Sequence, residues 1–409
     1  MVAERFYSRR GRLFLRLYRG ALEPFILYGN GAWGHRLRLQ RIRTTLNCIQ
    51  RKPLLRITRA YRTVSTMALQ VLAGVMPLDL KAKGVFAKFL VSVARINAKI
   101  GSVTLRSADY LGRFKLTEVH PLSWHSIPFS IQEPMGFDFE LFTDGSKDAD
   151  RVGSSLVVFY HGTEIHHEEC RLSDHAFVFQ AESHGLRMAL NYVATLRAWD
   201  PIRIFSDSQS LLKALASHTT GDPQVWELKT LCHAARDSRH ITLHWVKTHV
   251  GTLGNETADF YAKQAVHRPV VDFPVLRPIS MLRRQITQVL LAQWQDRWSS
   301  TDKGRQTAEF FPLVSFEPLL FSARIIQLRT GHGRFPEYFC RFAISDTDAC
   351  VCGGTGTVRH YLGSCPLTLD LSSRLQFDIN RLPTLLSTPA NLPLLDELVS
   401  RVIGWAPNM

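Results

Sequence analysis

The sequence predicts a mixed α/β domain, with a five-stranded sheet and helices on its faces, between two helical flanking regions. Strand periodicity alternates with helical periodicity between residues 137 and 267, and turn residues separate the segments. A strong excess of positive charge sets residues 1–120 apart. The predicted regions are therefore a basic helical region at 1–120, the α/β domain at 137–267 and a helical tail at 268–409.

The central region begins with three predicted strands, and a hairpin at His161-Gly162 joins the second to the third. A long helix, a short buried strand, two helices, a last strand and a last helix follow. In chain order the predicted elements are strands Phe137–Thr143, Gly153–Tyr160 and Thr163–Arg171, helix Phe179–Leu196, strand Ile202–Ser206, helices Ser208–Ser217 and Val225–Ser238, strand Ile241–Val246 and helix Asn255–Val266.

The flanking regions are predicted to be helical. Ser65 has the position of an N-cap before an apolar segment. Residues 85–96 place apolar and basic side chains at the spacing of an amphipathic helix. Three prolines between residues 121 and 134 mark a linker. Helices bearing Trp294 and Trp298 open the C-terminal region.

Composition excludes several classes of protein. The 409 residues are 45% hydrophobic and 21% charged, which is typical of globular chains. No stretch approaches the roughly 18 consecutive apolar residues of a membrane-spanning helix. We therefore expect no polytopic membrane protein. Arg16 interrupts the apolar run at residues 13–17, so we also expect no secretory signal. Seven cysteines are too few for a disulfide-based scaffold.

Positive charge is concentrated in the first region. Residues 1–120 contain 23 Lys and Arg against 5 Asp and Glu, a net charge of +18, whereas residues 121–409 contain 27 against 30. This asymmetry predicts a polyanionic partner, most commonly nucleic acid. A basic solvated surface and a transit peptide are the alternatives, although a basic region of about 100 residues is too long for targeting alone.

Four acidic residues occur where the predicted fold exposes its sheet edge. Asp144 ends the first strand before Gly145, Glu182 lies in the first turn of the long helix, Asp207 ends the fourth strand, and Asp259 lies on the last helix. Converging carboxylates repel one another unless a cation neutralises them. Oxygen-only ligands favour Mg²⁺ or Mn²⁺ over Zn²⁺. The alternative roles are N-caps for the two strand-end acids and solvated faces for the two helical acids.

The order of these residues and of the segments around them resembles the type-1 RNase H domain, over about 130 residues. The segments that carry the resemblance are Thr143-Asp144-Gly145-Ser146, Ala181-Glu182, Ser206-Asp207-Ser208, Val246-Lys247-Thr248-His249-Val250-Gly251 and Gly254-Asn255-Glu256-Thr257-Ala258-Asp259.

The resemblance implies a function and a role for each residue. Asp144, Glu182, Asp207 and Asp259 would hold two Mg²⁺ or Mn²⁺ ions, and His249 would assist the attacking water or the release of product. The implied reaction is cleavage of the RNA strand of an RNA·DNA hybrid, leaving 3′-hydroxyl and 5′-phosphate ends.

One feature of the bacterial pattern is missing. Between Ser217 and Trp226 the chain has eight residues and no long basic protrusion, so the family's basic handle for the hybrid is absent from the sequence. The expected alternatives for gripping the hybrid are the basic N-terminal region and the cysteine-containing C-terminal segment.

Cysteines cluster between residues 340 and 366. Cys350, Cys352, His360 and Cys365 supply the ligand count of a structural Cys₃His zinc site. The single residue between the first two cysteines is a tight spacing, and Cys340 is a possible substitute ligand. Free buried thiols are the alternative.

The flanks resemble parts of a non-LTR retrotransposon polyprotein. The matching segments are residues 27–33, 50–56 and 60–65, which resemble the region after a reverse-transcriptase palm, and residues 331–333, 350–353, 360–362 and 365–366, which resemble a zinc-knuckle tail. No Tyr/Phe-x-Asp-Asp polymerase signature occurs, so we expect no polymerase activity and interpret the chain as the carboxyl-terminal piece of an element.

Three functional hypotheses follow from the sequence. The first is a metal-dependent ribonuclease on RNA·DNA hybrids, the second a non-catalytic nucleic-acid-binding remnant, and the third a sound nuclease fold that needs missing partner domains to hold the hybrid. Analogy with retrotransposons predicts action in the nucleus. The sequence leaves the oligomeric state open.

Overall fold

A computed structural model of the chain describes residues 9–112, 125–131, 139–196, 200–218, 220, 222–247, 252–376 and 382–405. It has two compact units. Unit 1 combines the chain up to Ser107 with the chain from Leu282 onward, and unit 2 spans Ala108–Met281. The three-region division remains an interpretation of the sequence; in space, the chain on either side of unit 2 packs into one unit. The predicted linker prolines at 121 and 134 lie outside the described residues.

The N-terminal part of unit 1 is helical, as predicted, apart from one small hairpin. Ser65 is the N-cap of its fifth helix, because its hydroxyl accepts a hydrogen bond from the amide of Ala68 at 3.2 Å. The predicted helix at 85–96 is the end of the sixth helix and the π-helical turn that follows it. The elements are α1 (Arg9–Leu17), α2 (Glu23–Ile26), α3 (Asn30–Trp33), α4 (Gln40–Thr58), α5 (Thr66–Ala73), α6 (Leu78–Phe89), β1 (Ala98–Ile100) and β2 (Val103–Leu105).

A buried glutamine ties these helices together. The amide nitrogen of Gln50, on α4, donates to the hydroxyl of Tyr18 at 3.0 Å and to the carbonyl of Met76 at 2.9 Å. Its amide oxygen accepts from Gln70 at 2.8 Å and from the backbone of Leu78 at 3.0 Å. Because every polar atom of this side chain has a partner, its burial fixes the register of α4 against its neighbours.

Unit 2 contains all of the predicted strands and helices of the central region. Its elements are β3 (Phe129–Ser130), β4 (Phe139–Asp148), β5 (Arg151–Tyr160), β6 (Thr163–Leu172), α7 (Val178–Thr195), β7 (Ile202–Ser206), α8 (Gln209–Ala216), α9 (Pro223–Ser238), β8 (Ile241–Trp245) and α10 (Leu253–His267).

The sheet of unit 2 is mixed, with strand order β3-β8-β7-β4-β5-β6. Strands β4, β5 and β6 are antiparallel neighbours, and β4, β7, β8 and β3 are parallel. The β5–β6 turn has positive φ at His161 (47°) and Gly162 (76°), as a two-residue hairpin requires. The predicted mixed α/β fold is confirmed, and the two-residue strand β3 adds a sixth strand to the five predicted.

Helices cover both faces of this sheet. Alternate residues along β4 enter different cores, because successive side chains of a strand point to opposite faces. Leu141 belongs to the larger core, which contains residues of α7, α8 and α9. Phe142 belongs to the smaller core, which contains Ala258 of α10 and the stacked ring of Phe205. The central strands are therefore buried on both faces, and the polar groups at their ends are held rigidly.

The C-terminal part of unit 1 is also helical, and Trp294 and Trp298 of its first helix are buried. Its core includes Leu72 of α5, and the amide of Leu319 donates to the carbonyl of Leu72 at 2.8 Å. The elements are α11 (Ile279–Ser300), α12 (Arg305–Phe310), α13 (Ala323–Thr330), α14 (Pro336–Arg341), α15 (Val358–Gly363), α16 (Leu369–Ser372), α17 (Thr384–Ser387) and α18 (Asn391–Trp405).

Among the described residues, no helix has both the length and the apolar character needed to cross a membrane.

The close approach of α10 to β5 generates a stability prediction. A Cβ at Gly153 would lie 2.5 Å from the carbonyl oxygen of Ala262 and 2.7 Å from the amide nitrogen of Val266. These are backbone atoms that cannot rotate away, so we expect Gly153→Ala to reduce the free energy of unfolding by about 1–3 kcal/mol. Gly404→Ala, where nothing lies within 4 Å, is the control. Urea unfolding measures both, and equal midpoints would contradict the prediction.

Candidate active site

Two predicted acids meet at one edge of the sheet because β4 and β7 are parallel. Thr143 pairs with Ser206 in the register of these strands, so Asp144 and Asp207 follow at the same carboxyl edge. The hydroxyl of Thr143 donates to the carbonyl of Phe205 at 3.2 Å, which fixes the two strands at this point. The indole of Trp245 donates to the carbonyl of Asp207 at 3.1 Å. Strand β7 ends at Ser206, whereas β4 continues to Asp148 because it stays paired with β5, so the predicted strand end at Asp144 is wrong and Asp144 lies inside β4.

Helix α7 brings the third acid to the same edge. A Cβ at Gly145 would lie 2.6 Å from the amide nitrogen of Glu182 and 2.8 Å from Cβ of Ala181. Only glycine therefore allows α7 to approach β4 this closely, directly after Asp144. Gly145 therefore lies within the extended strand β4 and not after its end, and its missing side chain makes room for the helix.

The three carboxylates form one cluster. A carboxylate oxygen from each of Asp144, Glu182 and Asp207 lies within 4.8 Å of the others. Asp144 is 6% exposed and Glu182 is 5% exposed, whereas Asp207 is half-buried. Oε2 of Glu182 is buried without a hydrogen-bond partner among the described residues. A buried carboxylate oxygen without a donor costs free energy, and a cation bound in the cluster would remove that cost.

The electrostatics of the cluster are those of acids that need a counter-ion. Burial, followed by the charges of Asp207 and Asp259, raises the pKa of Asp144 to about 7. Burial, followed by Asp144 and Asp207, raises the pKa of Glu182 well above its usual value. Oxygen donors of this kind fit Mg²⁺ or Mn²⁺. The residues present therefore fit the implied divalent ions.

The fourth predicted acid lies outside this group. Asp259, on α10, is not part of the group whose carboxylate oxygens lie within 4.8 Å of one another. Its carboxylate forms an ion pair with Nζ of Lys263 at 2.6 Å. Its charge is still close enough to raise the pKa of Asp144. Sequence analysis missed Lys263, although its position four residues after Asp259 on a helix is a visible signal for such a pair.

The predicted histidine cannot be placed. His249 lies outside the described residues, which omit 248–251. The described chain resumes at Thr252, the N-cap position of α10.

A second candidate site lies in unit 1. The donor atoms of Cys350, Cys352, His360 and Cys365 all lie within 4.8 Å of one another. Sγ of Cys365 is 3.9 Å from Sγ of both Cys350 and Cys352, and Sγ of Cys352 is 3.2 Å from Nε2 of His360. A tetrahedral zinc ion with Zn–S bonds of about 2.3 Å separates its sulfurs by about 3.8 Å. The cluster therefore has the dimensions of a zinc site.

A tight turn makes the short cysteine spacing workable. The amide of Gly353 donates to the carbonyl of Cys350 at 2.8 Å, and Gly353 has a φ of 89°. The chain therefore reverses immediately after Cys352, so both sulfurs face His360 on α15. Cys340, the proposed substitute ligand, is a free cysteine outside this cluster.

Comparisons with known proteins agree with this architecture. The family model described as RNase H matches residues 138–267. A Pol polyprotein from the type-1 retrotransposable element R1 of Bradysia coprophila is 37% identical over 97 residues, which are 22% of this chain and 10% of that protein. The chain thus spans about a tenth of that relative's length.

Two further similarities cover different shares of the chain. An R1 Pol polyprotein of Popillia japonica is 28% identical over 177 residues, which are 42% of this chain and 71% of that protein. A solved RNase H1 from Halobacterium salinarum covers 31% of this chain and 96% of its own, with 20% identity and a TM-score of 0.27. The chain therefore carries an RNase H domain at residues 138–267, and its homologues are Pol polyproteins of R1 non-LTR retrotransposons.

Proposed function

We propose that unit 2 is an endoribonuclease that hydrolyses the RNA strand of RNA·DNA hybrids. The observation that carries this proposal is the cluster of Asp144, Glu182 and Asp207, with a buried and unpartnered oxygen on Glu182. The RNase H family model over the same residues supports the hybrid as substrate. The basic N-terminal region supports nucleic acid as the partner of the whole chain.

Each residue has a proposed role. Asp144, Glu182, Asp207 and Asp259 would hold two Mg²⁺ or Mn²⁺ ions, and Asp144 is central because the charges of both Asp207 and Asp259 act on it. Bound ions of this kind activate a water and stabilise the leaving oxygen of a phosphodiester. Lys263 holds the carboxylate of Asp259 in place through their ion pair.

His249 is the proposed proton-transfer group. It precedes Asp259 by ten residues, in the segment that resembles the family's final loop. Histidine is the side chain that most often serves this role in proteins, because an imidazole can both accept and donate a proton.

We also propose that the cluster of Cys350, Cys352, His360 and Cys365 holds a structural Zn²⁺ in unit 1. The four donor atoms are close together, and they are three thiol sulfurs and one imidazole nitrogen, which is a common ligand set for structural zinc. Such a site has no open position for substrate, so its contribution is to the stability of the C-terminal segment.

The first prediction concerns cleavage. We expect the wild-type chain to cut only the RNA strand of a labelled RNA·DNA hybrid, with Mg²⁺ and not with EDTA. Asp144→Asn should lower the rate by more than about 100-fold, because a metal ion supplies several kcal/mol of transition-state stabilisation. Asp148→Asn, an exposed acid on the same strand, is the matched control and should retain activity.

Two outcomes of that assay would contradict the proposal. Equal loss in Asp144→Asn and Asp148→Asn would mean that the cluster has no special role. Binding of the hybrid by the wild-type chain without any cleavage would instead favour the non-catalytic, nucleic-acid-binding function.

The second prediction concerns stability without metal. The folded-state pKa of Asp144, about 7, lies above its ordinary value of 3.8, so the folded state binds a proton more tightly than the unfolded state. The resulting stability is present below pH 4 and is lost as pH rises to about 7. We therefore expect Asp144→Asn to be more stable than wild type in EDTA at pH 8, by up to about 4 kcal/mol, and equally stable at pH 4.

Thermal unfolding at several pH values measures this difference. Added Mg²⁺ should stabilise the wild type and have little effect on Asp144→Asn, since the ion stabilises only the state that binds it. Asp148→Asn is again the control. A difference between Asp144→Asn and wild type that stays constant with pH would contradict the role assigned to the buried carboxylate.

The third prediction concerns zinc. We expect one Zn²⁺ per chain by elemental analysis, reduced to a trace in Cys352→Ser and unchanged in Cys340→Ser, which removes a nearby thiol outside the cluster. A chelator should destabilise the wild type and not Cys352→Ser, because only the wild type has metal to lose. Equal zinc in the two variants would exclude the proposed ligand set.

A further inference from the structure

A concave basic surface lies within unit 1, and none of its lining residues belongs to either candidate metal site. It is a cavity of about 340 Å³ between α6, the strand β1, helix α11 and the 3₁₀-helical turn Gly34–Arg38. We call it the basic cavity. Among the described residues that line it, the side chains with a full charge are Arg38, Arg43, Asp79, Lys83, Lys99 and Arg297.

The single carboxylate of this lining is already neutralised. Asp79 is 4% exposed and accepts hydrogen bonds from Arg297 at 3.0 Å and from the amide of Asn47 at 3.1 Å. Its other oxygen is 2.9 Å from the same guanidinium. Arg297 therefore balances Asp79, and the charges of Arg43 and Lys83 remain in excess inside the cavity.

The surroundings of Arg43 and Lys83 disfavour their positive charges. Nε of Arg43 is buried without a hydrogen-bond partner among the described residues. Lys83 is half-buried and donates to the amide oxygen of Gln293 at 3.3 Å. Burial, followed by the charges of Arg297 and Arg43, lowers the pKa of Lys83. A bound anion would neutralise both cations and supply an acceptor for Nε of Arg43.

The rim indicates which kind of anion fits. Arg38 and Lys99 line the cavity and are exposed, so positive charge continues from the interior to the surface. A free phosphate would contact only Arg43 and Lys83. A nucleic-acid strand would place one backbone phosphate beside these two side chains and its adjacent phosphates near Arg38 and Lys99. The surrounding region, residues 1–120, has a net charge of +18, which favours a polyanion.

We propose that the basic cavity binds a backbone phosphate of nucleic acid, with Arg43 and Lys83 as the inner donors and Arg38 and Lys99 at the rim. The contact is to the backbone, so it fixes position and carries no base sequence. This site lies in unit 1 and does not rest on the proposed nuclease activity of unit 2. It gives the chain a contact with nucleic acid in unit 1, outside the RNase H domain.

The test is the salt dependence of binding by the full chain in buffer without Mg²⁺, Mn²⁺ or chelator, so that the proposed nuclease is inactive and the proposed zinc site keeps its ion. The probe is a fluorescent RNA·DNA hybrid of about 20 base pairs, with a DNA duplex of the same length beside it. We expect Lys83→Gln to weaken binding about eightfold at 0.1 M salt and to reduce the slope of log K against log salt by about 0.9, the contribution of one phosphate. Both probes should lose affinity equally.

Three variants complete the experiment. Lys83→Arg keeps the charge and should restore most of the affinity and the slope. Arg43→Gln should reproduce Lys83→Gln, and it guards against a folding defect in one variant. Lys52→Gln removes an exposed lysine from α4 outside the cavity and is the matched control, so it should leave the slope nearly unchanged. Thermal unfolding verifies that each variant is folded.

The other outcomes overturn the proposal. Equal effects of Lys83→Gln and Lys52→Gln would mean that binding uses diffuse surface charge. If Lys83→Gln and Arg43→Gln are folded and bind with unchanged affinity and salt slope, the cavity takes no part in nucleic-acid binding. A third outcome is that inorganic phosphate stabilises the wild type and not Lys83→Gln, while the salt slope of nucleic-acid binding is the same in both. That result would identify a free phosphate as the occupant. Because cleavage is not measured, failure of the nuclease proposal would not affect these results.

Discussion

Repulsion between carboxylates at one sheet edge is the constraint on which unit 2 depends. The parallel pairing of β4 with β7 brings Asp144 and Asp207 together, and the missing side chain of Gly145 lets α7 add Glu182. Each of these contacts increases the electrostatic cost of the folded state without metal. The two cores on either side of the sheet must outweigh that cost, which explains why the strands around the cluster are buried on both faces. The site is thus preorganised by packing, and the ions would complete it.

Local sequence patterns predicted the strands and the end of β7 before Asp207, because period-two alternation and a following serine are local signals. They ended the first strand at Thr143, whereas pairing with β5 extends β4 to Asp148. They did not predict the two-residue strand β3, which is too short to show a period. They grouped Asp259 with the other acids as a metal ligand, an assignment that stays a prediction, but they did not indicate its ion pair with Lys263. Its actual position depends on how α10 lies across β5 at Gly153, a contact between residues about 110 apart in sequence. Long-range packing of this kind leaves no signal in the residues on either side.

The same distinction applies to unit 1. The ligand spacing from Cys350 to Cys365 predicted a cluster that the structure brings together, because all four residues lie within one short segment. The excess charge of residues 1–120 predicted a polyanionic partner, but no sequence pattern indicated where the charge converges. The basic cavity combines Arg43 and Lys83 with Arg297, which is more than 200 residues away, and only the folded chain shows that one acid faces several cations there.

The pairing of distant chain segments in unit 1 also bears on synthesis by the ribosome. Unit 2 is continuous in sequence, so all of its residues emerge before helix α12, and it can fold while the chain is still growing. The helices before Ser107 precede unit 2 in the chain, but the core around Leu72 of α5 is completed only by residues from Phe310 onward. A nascent chain therefore holds a complete unit 2 while part of the core of unit 1 is still missing. Premature release from the ribosome would leave those helices exposed to aggregation or chaperones.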